Sequence, residues 1–134
     1  MGAWSVEPFG NDEALDWLND LIDEHDMWFI HNTLEILAEF PPGEQPDSWD
    51  CCCALAAAEM VAAAMGKPGK SLPAEAREWL DAYAFEADDE ARDLARKAVA
   101  RVEVNSELRE LWDDSASGAD WLASLADLKA RLGA

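Results

Sequence analysis

The sequence predicts an all-α fold: a single-domain, irregular bundle of six or seven helices around a central Ala-rich helix. Apolar residues return every three or four positions in most segments. Capping residues and turns that contain Pro or Gly separate these segments. No segment sustains the alternation of apolar and polar residues that is typical of a strand. With 134 residues, the chain is long enough to bury a core, and we expect residues 1–134 to form one domain.

Two helices are predicted before the loop at residues 41–46. Asn11 or Asp12 caps the first helix, because a short polar side chain at that position can accept a hydrogen bond from the first turn. The beginning of the second helix is open, since residues 27–30 are compatible with a helix or with an extended segment. The apolar positions of the two helices are Ala14, Leu15, Leu18, Leu21, Ile22, Phe29, Ile36, Leu37 and Phe40.

The third predicted helix, from about Asp47 to Met65, is the expected centre of the bundle. Gly66 follows it as a C-cap. Residues 55–65 are apolar on every side except at Glu59, which is the pattern of a helix surrounded by other helices. The many Ala residues of this helix allow its neighbours to approach closely.

The remaining helices are predicted after a turn at residues 67–69. Pro73 suits the first position of one helix, residues 88–104 form the next, and residues 105–106 interrupt or recap it. The run Ser117-Gly118-Ala119-Asp120 matches a capping box at the start of the last helix. The apolar positions are Ala76, Trp79, Leu80, Tyr83, Ala91, Leu94, Ala95, Ala98, Val102, Leu108, Leu111, Trp112, Trp121, Leu125, Leu128 and Leu132, and Gly133 follows as a stop.

Charge is the strongest compositional signal. The chain has 10 Lys and Arg residues against 29 Asp and Glu residues, a formal net charge of −19 at pH 7. Residues 1–66 contain no Lys or Arg. Because binding to phosphate backbones and to anionic lipids depends on Lys and Arg, we expect neither nucleic acid nor a membrane as a partner. The acidic excess favours solubility and suits a basic protein partner.

The cysteines and the first residues of the sequence indicate the cellular compartment of the protein. Cys51, Cys52 and Cys53 are consecutive, so on a helix they point about 100° apart and cannot bind one metal ion together. We expect buried thiols that pack as small apolar groups in a reducing compartment. The start of the chain lacks the pattern of a secretory signal, and no apolar run approaches the roughly 20 residues that span a bilayer. The predicted location is cytoplasmic.

No sequence motif for catalysis or for a cofactor is present, so we predict no cofactor and favour a protein without enzymatic activity. Glu59 is the main candidate residue, because a carboxylate on so apolar a helix needs donors or a cation such as Arg101 or Arg109. It is either a structural anchor or a metal ligand or general base. Asp12 and Asp16 are four residues apart on one helix face, a spacing of two solvated acids or of a shared divalent cation.

Several short runs are distributed along the chain: Gly2-Ala3-Trp4, Phe9, Asn11-Asp12, Asp16-Trp17, Ala57-Ala58-Glu59, Gly66-Lys67-Pro68, and Asn105-Ser106-Glu107-Leu108 with Leu111-Trp112. In combination they resemble an uncharacterised bacterial family, the DUF4259 domain of unknown function, over nearly the whole chain. The resemblance implies no activity. It implies that the amino-terminal arm, Glu59, Asn105 and Trp112 belong to one recurring arrangement. We expect the arm to fold back onto the third helix, where Glu59 and Asn105 would satisfy its polar groups.

Two functions remain open at this stage. The first is a small acidic cytosolic module for protein interaction, regulatory or immunity-like and without catalysis, which binds a basic protein as a monomer or homodimer. The alternative is a metal- or small-ligand-binding protein, including a hydrolase, whose carboxylates converge on a water-accessible cavity. The candidate structural or ligand-site residues are Trp4, Asn11, Asp12, Asp16, Glu59, Asn105 and Trp112.

Overall fold

The computed structural model describes residues 5–24 and 27–133. In these residues the chain forms seven helices and no strand, which confirms the predicted all-α bundle. The helices are α1 (Asp12–Glu24), α2 (Met27–Ala38), α3 (Ser48–Ala64), α4 (Ala74–Tyr83), α5 (Asp89–Val104), α6 (Glu107–Asp113) and α7 (Gly118–Arg131).

The helix α3 is the centre of the bundle, as its composition predicts. Every residue from Cys51 to Ala63 is buried, and α3 contacts each of the other six helices. A helix can be enclosed on all sides when its side chains are small enough for neighbouring backbones to approach, and the Ala residues of α3 meet that condition. The helices α2 and α5 also pack against each other, beside α3.

Polar side chains cap four of the helices. Asn11, Asp47, Asp88 and Ser106 each accept a hydrogen bond from the backbone N–H three residues later, at 2.7–3.0 Å. Such caps satisfy donors that have no partner within the helix. At the other end of α3, Gly66 takes a φ of +84°, which confirms its expected role in ending the helix.

The structure resolves one open local expectation and overturns another. The chain is already helical at Met27, so residues 27–30 belong to α2. The expected capping box at Ser117 is wrong, because the Ser117 side chain makes no capping hydrogen bond. Its backbone, with φ −101° and ψ 13°, is outside the extended region that a capping residue adopts. The turn there is tight, since a Cβ on Gly118 would lie 2.7 Å from the carbonyl oxygen of Trp112.

The exposure of one apolar residue of α2 also differs from the expectation. Ile30, Leu34 and Leu37 are buried on the inner face of α2, whereas Ile36 is 52% exposed. Successive residues of a helix are about 100° apart, so Ile36 cannot share the buried face with Leu37 and Leu34. Ile36 therefore belongs to the surface of the bundle.

The three cysteines are free and buried, as expected. Burial raises the pKa of the Cys51 and Cys53 thiols to about 12 and raises the pKa of Cys52 as well. They pack as apolar groups. Within residues 5–24 and 27–133, no helix has the length and apolar character needed to cross a membrane.

Candidate interaction surface and the Glu59 cluster

Glu59 lies at the centre of a closed cluster of donors. Its side chain is fully buried. The Oε2 atom accepts hydrogen bonds from the Gly69 backbone N–H at 2.8 Å and from Nη1 of Arg131 at 2.7 Å, and the Oε1 atom accepts one from Nη2 of Arg131 at 2.9 Å. This two-pronged geometry is the strongest form of an Arg–carboxylate pair.

The cation that pairs with Glu59 is Arg131, so the expectation of Arg101 or Arg109 is wrong. Arg101 donates instead to backbone carbonyls of the loop before α3, and Arg109 donates to the Glu103 carbonyl. The Arg131 side chain reaches α3 from the last turn of α7.

Arg131 joins three parts of the fold. In addition to Glu59, its guanidinium contacts the Lys67 carbonyl oxygen at 3.1 Å and the Asp127 carboxylate at 2.9 Å. Burial alone would lower the pKa of Arg131, but the hydrogen bonds and charges of Glu59 and Asp127 raise it. Gly69 completes the cluster, because a Cβ at that position would lie 2.5 Å from the Glu59 Oε1 atom. The arrangement ties the loop after α3 and the end of α7 to the central helix.

The residues that begin at Asn105 hold the loop before α3 in place. The Asn105 side chain accepts a hydrogen bond from Gln45 at 3.3 Å, and the Glu107 carboxylate accepts one from the Ser48 N–H at 2.7 Å. The loop before α3 is therefore held at the junction of α5 and α6. In α6, Trp112 is buried and its ring stacks on Trp121, with centroids 6.3 Å apart.

The described part of the amino-terminal arm contacts α7 and the start of α1. In its described part, Glu7 accepts a hydrogen bond from the Ser124 hydroxyl of α7 at 3.2 Å, and Asn11 caps α1. The hydrogen bonds described for Glu59 come from Gly69 and Arg131, and the Asn105 side chain accepts one from Gln45. The expectation that Glu59 and Asn105 satisfy polar groups of the arm stays a prediction, because residues 1–4 of the arm lie outside the described residues. Trp4, also a candidate residue, lies outside the described residues.

Asp12 and Asp16 are not brought together with Glu59. Both are exposed on α1, whereas Glu59 is buried. They continue along α1 with exposed Asp20 and Asp23, and this spacing forms a single acidic stripe. In the part of the chain that the structure describes, no group of three or more His, Cys, Asp or Glu residues could hold a metal ion.

Beside this acidic stripe lies a groove between α1, α2 and the beginning of α3, called the Trp49 groove below. It has a volume of about 170 Å³ and is lined by Trp17, Asp20, Phe29, Thr33, Ile36, Trp49, Asp50 and Cys53. Trp49 is 49% exposed and Ile36 is 52% exposed. Large apolar side chains that remain in water next to a groove are typical of interaction sites.

The walls of the Trp49 groove are held in place by specific contacts. The rings of Trp17 and Phe29 stack at 5.6 Å between centroids. The Trp17 indole N–H donates to the Thr33 hydroxyl at 2.9 Å, and that hydroxyl donates to the Phe29 carbonyl at 2.8 Å. The groove is therefore preformed, which lowers the entropic cost of binding.

The charged residues that line the Trp49 groove, Asp20 and Asp50, are both acidic. All its lining residues lie in the part of the sequence that contains no Lys or Arg. Partial burial, and then the nearby charge of Asp47, raise the pKa of the Asp50 carboxyl group. Both effects oppose ionisation of Asp50, whereas the charge of a nearby cation would favour its ionised form.

Sequence reasoning missed the Trp49 groove. It counted Ile36 among the inward-facing residues and assigned no role to Trp49. The signal that could have found the groove is positional: Ile36 lies outside the buried set of α2, and Trp49 is in the first turn of α3, before its enclosed part begins.

The structure thus defines an all-α bundle with a closed Glu59 cluster on one side and a preformed, acidic and apolar groove on another. Residues 2–124 match the sequence profile of the family described as Domain of unknown function (DUF4259), and the chain belongs to this family. The predicted membership in the DUF4259 family is confirmed. No curated protein and no solved structure matches the chain.

Proposed function

We propose that this protein is a non-catalytic interaction module that binds a basic protein partner through the Trp49 groove and the acidic stripe of α1. One observation carries the proposal. Trp49 and Ile36 are half-exposed, and they lie in residues 1–66, which contain no Lys or Arg. The partner that fits is a segment with one large apolar side chain flanked by Lys or Arg.

The size of the groove supports a side chain as its occupant. At about 170 Å³, it is smaller than the roughly 300–1,000 Å³ of typical small-molecule sites. Binding energy at protein interfaces is concentrated in a few anchors that fill such pockets, and Trp is enriched among them.

The acidic stripe favours a cationic partner, because repulsion among its carboxylates lowers the stability of α1 and a cation would reduce that repulsion. Asp12, Asp16 and Asp20 follow one another at intervals of four residues, and like charges at that spacing repel each other by roughly 0.2–0.5 kcal/mol per pair. Basic side chains of a partner would remove this repulsion and would steer the partner to the groove over about one Debye length.

The alternative function, at a site built from Glu59 with Asp12 or Asp16, has no observation in its favour. The Glu59 carboxylate is fully buried and accepts bonds from Gly69 and Arg131, whereas the two aspartates are exposed elsewhere. A general base must reach substrate, and a buried carboxylate already paired with Arg is poorly suited to that role.

Selection from a random peptide display library on the immobilised protein tests the proposal. We expect enriched peptides to combine an aromatic or large aliphatic residue with at least two neighbouring Lys or Arg residues. Trp49→Ala should abolish the enrichment. Leu111→Ala is the matched control, because Leu111 is also a partly exposed apolar residue but lies on α6.

Three outcomes would contradict the proposal. One is no enrichment on the wild-type protein, and another is enrichment of peptides without basic residues. The third is equal enrichment on the Trp49→Ala variant, which would place the binding site elsewhere. The melting temperature of each variant is measured first, to confirm that the exposed substitutions leave the fold intact.

A further inference from the structure

A second groove lies on the other side of α2, against the segment that joins α4 to α5; it is called the Trp28 groove below. Its volume is about 340 Å³, within the usual range of small-molecule sites. The side chains that define its chemistry are Trp28, His31, Phe85, Glu86, Asp88 and Glu90. None of them lines the Trp49 groove.

The walls of the Trp28 groove are aromatic. Trp28 is 65% exposed and meets the His31 ring edge-on, with centroids 5.2 Å apart. Phe85, on the opposite segment, is half-buried and packs beside Trp79, with centroids 6.3 Å apart. The faces of such rings carry partial negative charge and attract cations.

The charge of the Trp28 groove is also negative. The acidic residues that line the groove are Glu86, Asp88 and Glu90, and the lining contains no Lys or Arg. Asp89, next to them, does not line the groove and pairs with Arg92. The His31 Nε2 atom is already engaged, 3.4 Å from the Glu35 carboxylate and 3.8 Å from the Glu90 carboxylate. A ligand that enters the groove therefore meets carboxylates and ring faces together.

The backbone of the joining segment is fixed in an unusual conformation. Ala84 ends α4 with φ 49° and ψ 44°, a left-handed conformation that is unfavourable for a residue with a Cβ. This turn places Phe85 and Glu86 opposite α2, on the rim of the groove.

We propose that the Trp28 groove binds an organic cation, an alkylammonium group whose apolar substituents lie against Trp28 and Phe85. Glu86, Asp88 and Glu90 supply the opposite charge. Ile30 and Leu34, which are buried at the base of the groove, exclude water from the hydrocarbon part of the ligand. Ring faces and aliphatic carbons suit such a ligand better than a hydrated metal ion, which requires several oxygen ligands.

The direct test uses choline and its neutral isostere 3,3-dimethylbutan-1-ol as probes, with spermidine as a second cation. Backbone amide signals are followed by two-dimensional NMR at low salt, where surface charges are least screened. We expect at least one cation to shift signals from residues 28–34 and 84–91 with a Kd of about 1 mM or tighter. The neutral isostere should bind at least about ten-fold more weakly, because it keeps the shape of choline but lacks the charge.

Variants show which side chains of the Trp28 groove contribute to cation binding. Trp28→Ala and the double variant Glu86→Gln with Glu90→Gln should each weaken cation binding about five-fold or more. The double variant Glu75→Gln with Glu78→Gln is the control, because it removes the same charge from exposed positions of α4 that do not line the groove. All these side chains are exposed, and unchanged melting temperatures will show that the variants are folded.

Each outcome decides the proposal. If choline shifts the amide signals of the groove, the ligand is a quaternary ammonium compound. If spermidine shifts them, the ligand is a polyamine. Either result supports the proposal. The proposal is overturned if neither cation shifts these signals at about 20 mM, or if 3,3-dimethylbutan-1-ol binds as well as choline. Trp49→Ala should leave cation binding unchanged, so this test is independent of the proposed protein partner.

Discussion

Glu59 offers the sharpest test of how the bundle is held together. Glu59→Gln preserves the shape of the side chain but replaces one oxygen by a donor. With the amide oxygen at the Oε2 position, the bonds from Gly69 and from Nη1 of Arg131 remain, and the amide nitrogen faces Nη2 of Arg131 at about the original 2.9 Å. Two donors then face each other at a side chain that is fully buried.

The expected decrease in the free energy of unfolding follows from the hydrogen bonds that the substitution removes. One charge-assisted hydrogen bond contributes roughly 1.5–3 kcal/mol, and removing one partner from a buried ion pair costs roughly 3–5 kcal/mol in all. We expect Glu59→Gln to lower the free energy of unfolding by about 3 kcal/mol and Glu59→Ala by about 4 kcal/mol. For a chain of this length, 3 kcal/mol corresponds to a melting temperature lower by about 10 °C.

Thermal and urea unfolding, followed by circular dichroism, measure both variants. Asp127→Asn is the matched control, because it removes the exposed partner of Arg131 and should cost less than about 1 kcal/mol. A double-mutant cycle of Glu59→Gln with Arg131→Ala should give a coupling energy of at least about 1 kcal/mol. A melting temperature of Glu59→Gln within about 2 °C of the wild type would refute the reasoning.

Three further predictions concern other parts of the fold. Ala84→Gly should raise the free energy of unfolding by about 0.5–1 kcal/mol in urea unfolding, because Gly adopts the left-handed conformation without strain. The Cys51 and Cys53 thiols should not react with a thiol reagent at pH 8 until the protein unfolds. Because folding raises their pKa from 9.0 to about 12, their contribution to stability is present below pH 9 and is lost as the pH rises towards 12, which stability measurements across that range will check. Asp16→Lys should raise the melting temperature by about 3 °C, because repulsion along α1 becomes attraction, and should weaken binding of the selected basic peptides.

Local patterns in the sequence predicted the helices and most of their ends. Asn11 caps α1 and Gly66 ends α3, because these features depend on a few neighbouring residues. The burial of Glu59 also followed from its apolar neighbours on α3. The capping box at Ser117 failed because its pattern of residue types does not register the tight turn between Trp112 and Gly118, where the Ser117 backbone is not extended.

Long-range partners could not be predicted in the same way. Arg131 is 72 residues from Glu59 along the chain, and its position depends on how α7 crosses α3. Periodicity gives the buried face of each helix but not the angle between helices in an irregular bundle. How close Ile36 and Trp49 lie to each other depends on the same arrangement, so their positions within α2 and α3 do not by themselves give the Trp49 groove.

The most direct measurement is the affinity of a selected basic peptide for the wild-type protein and for Trp49→Ala, at about 20 mM and about 300 mM salt. We predict that Trp49→Ala raises the Kd by at least about thirty-fold, because an interface anchor contributes about 2 kcal/mol to the free energy of binding. The higher salt concentration should weaken wild-type binding several-fold, because the acidic stripe is exposed. An unchanged Kd in both comparisons would show that the Trp49 groove is not an interaction surface for basic proteins.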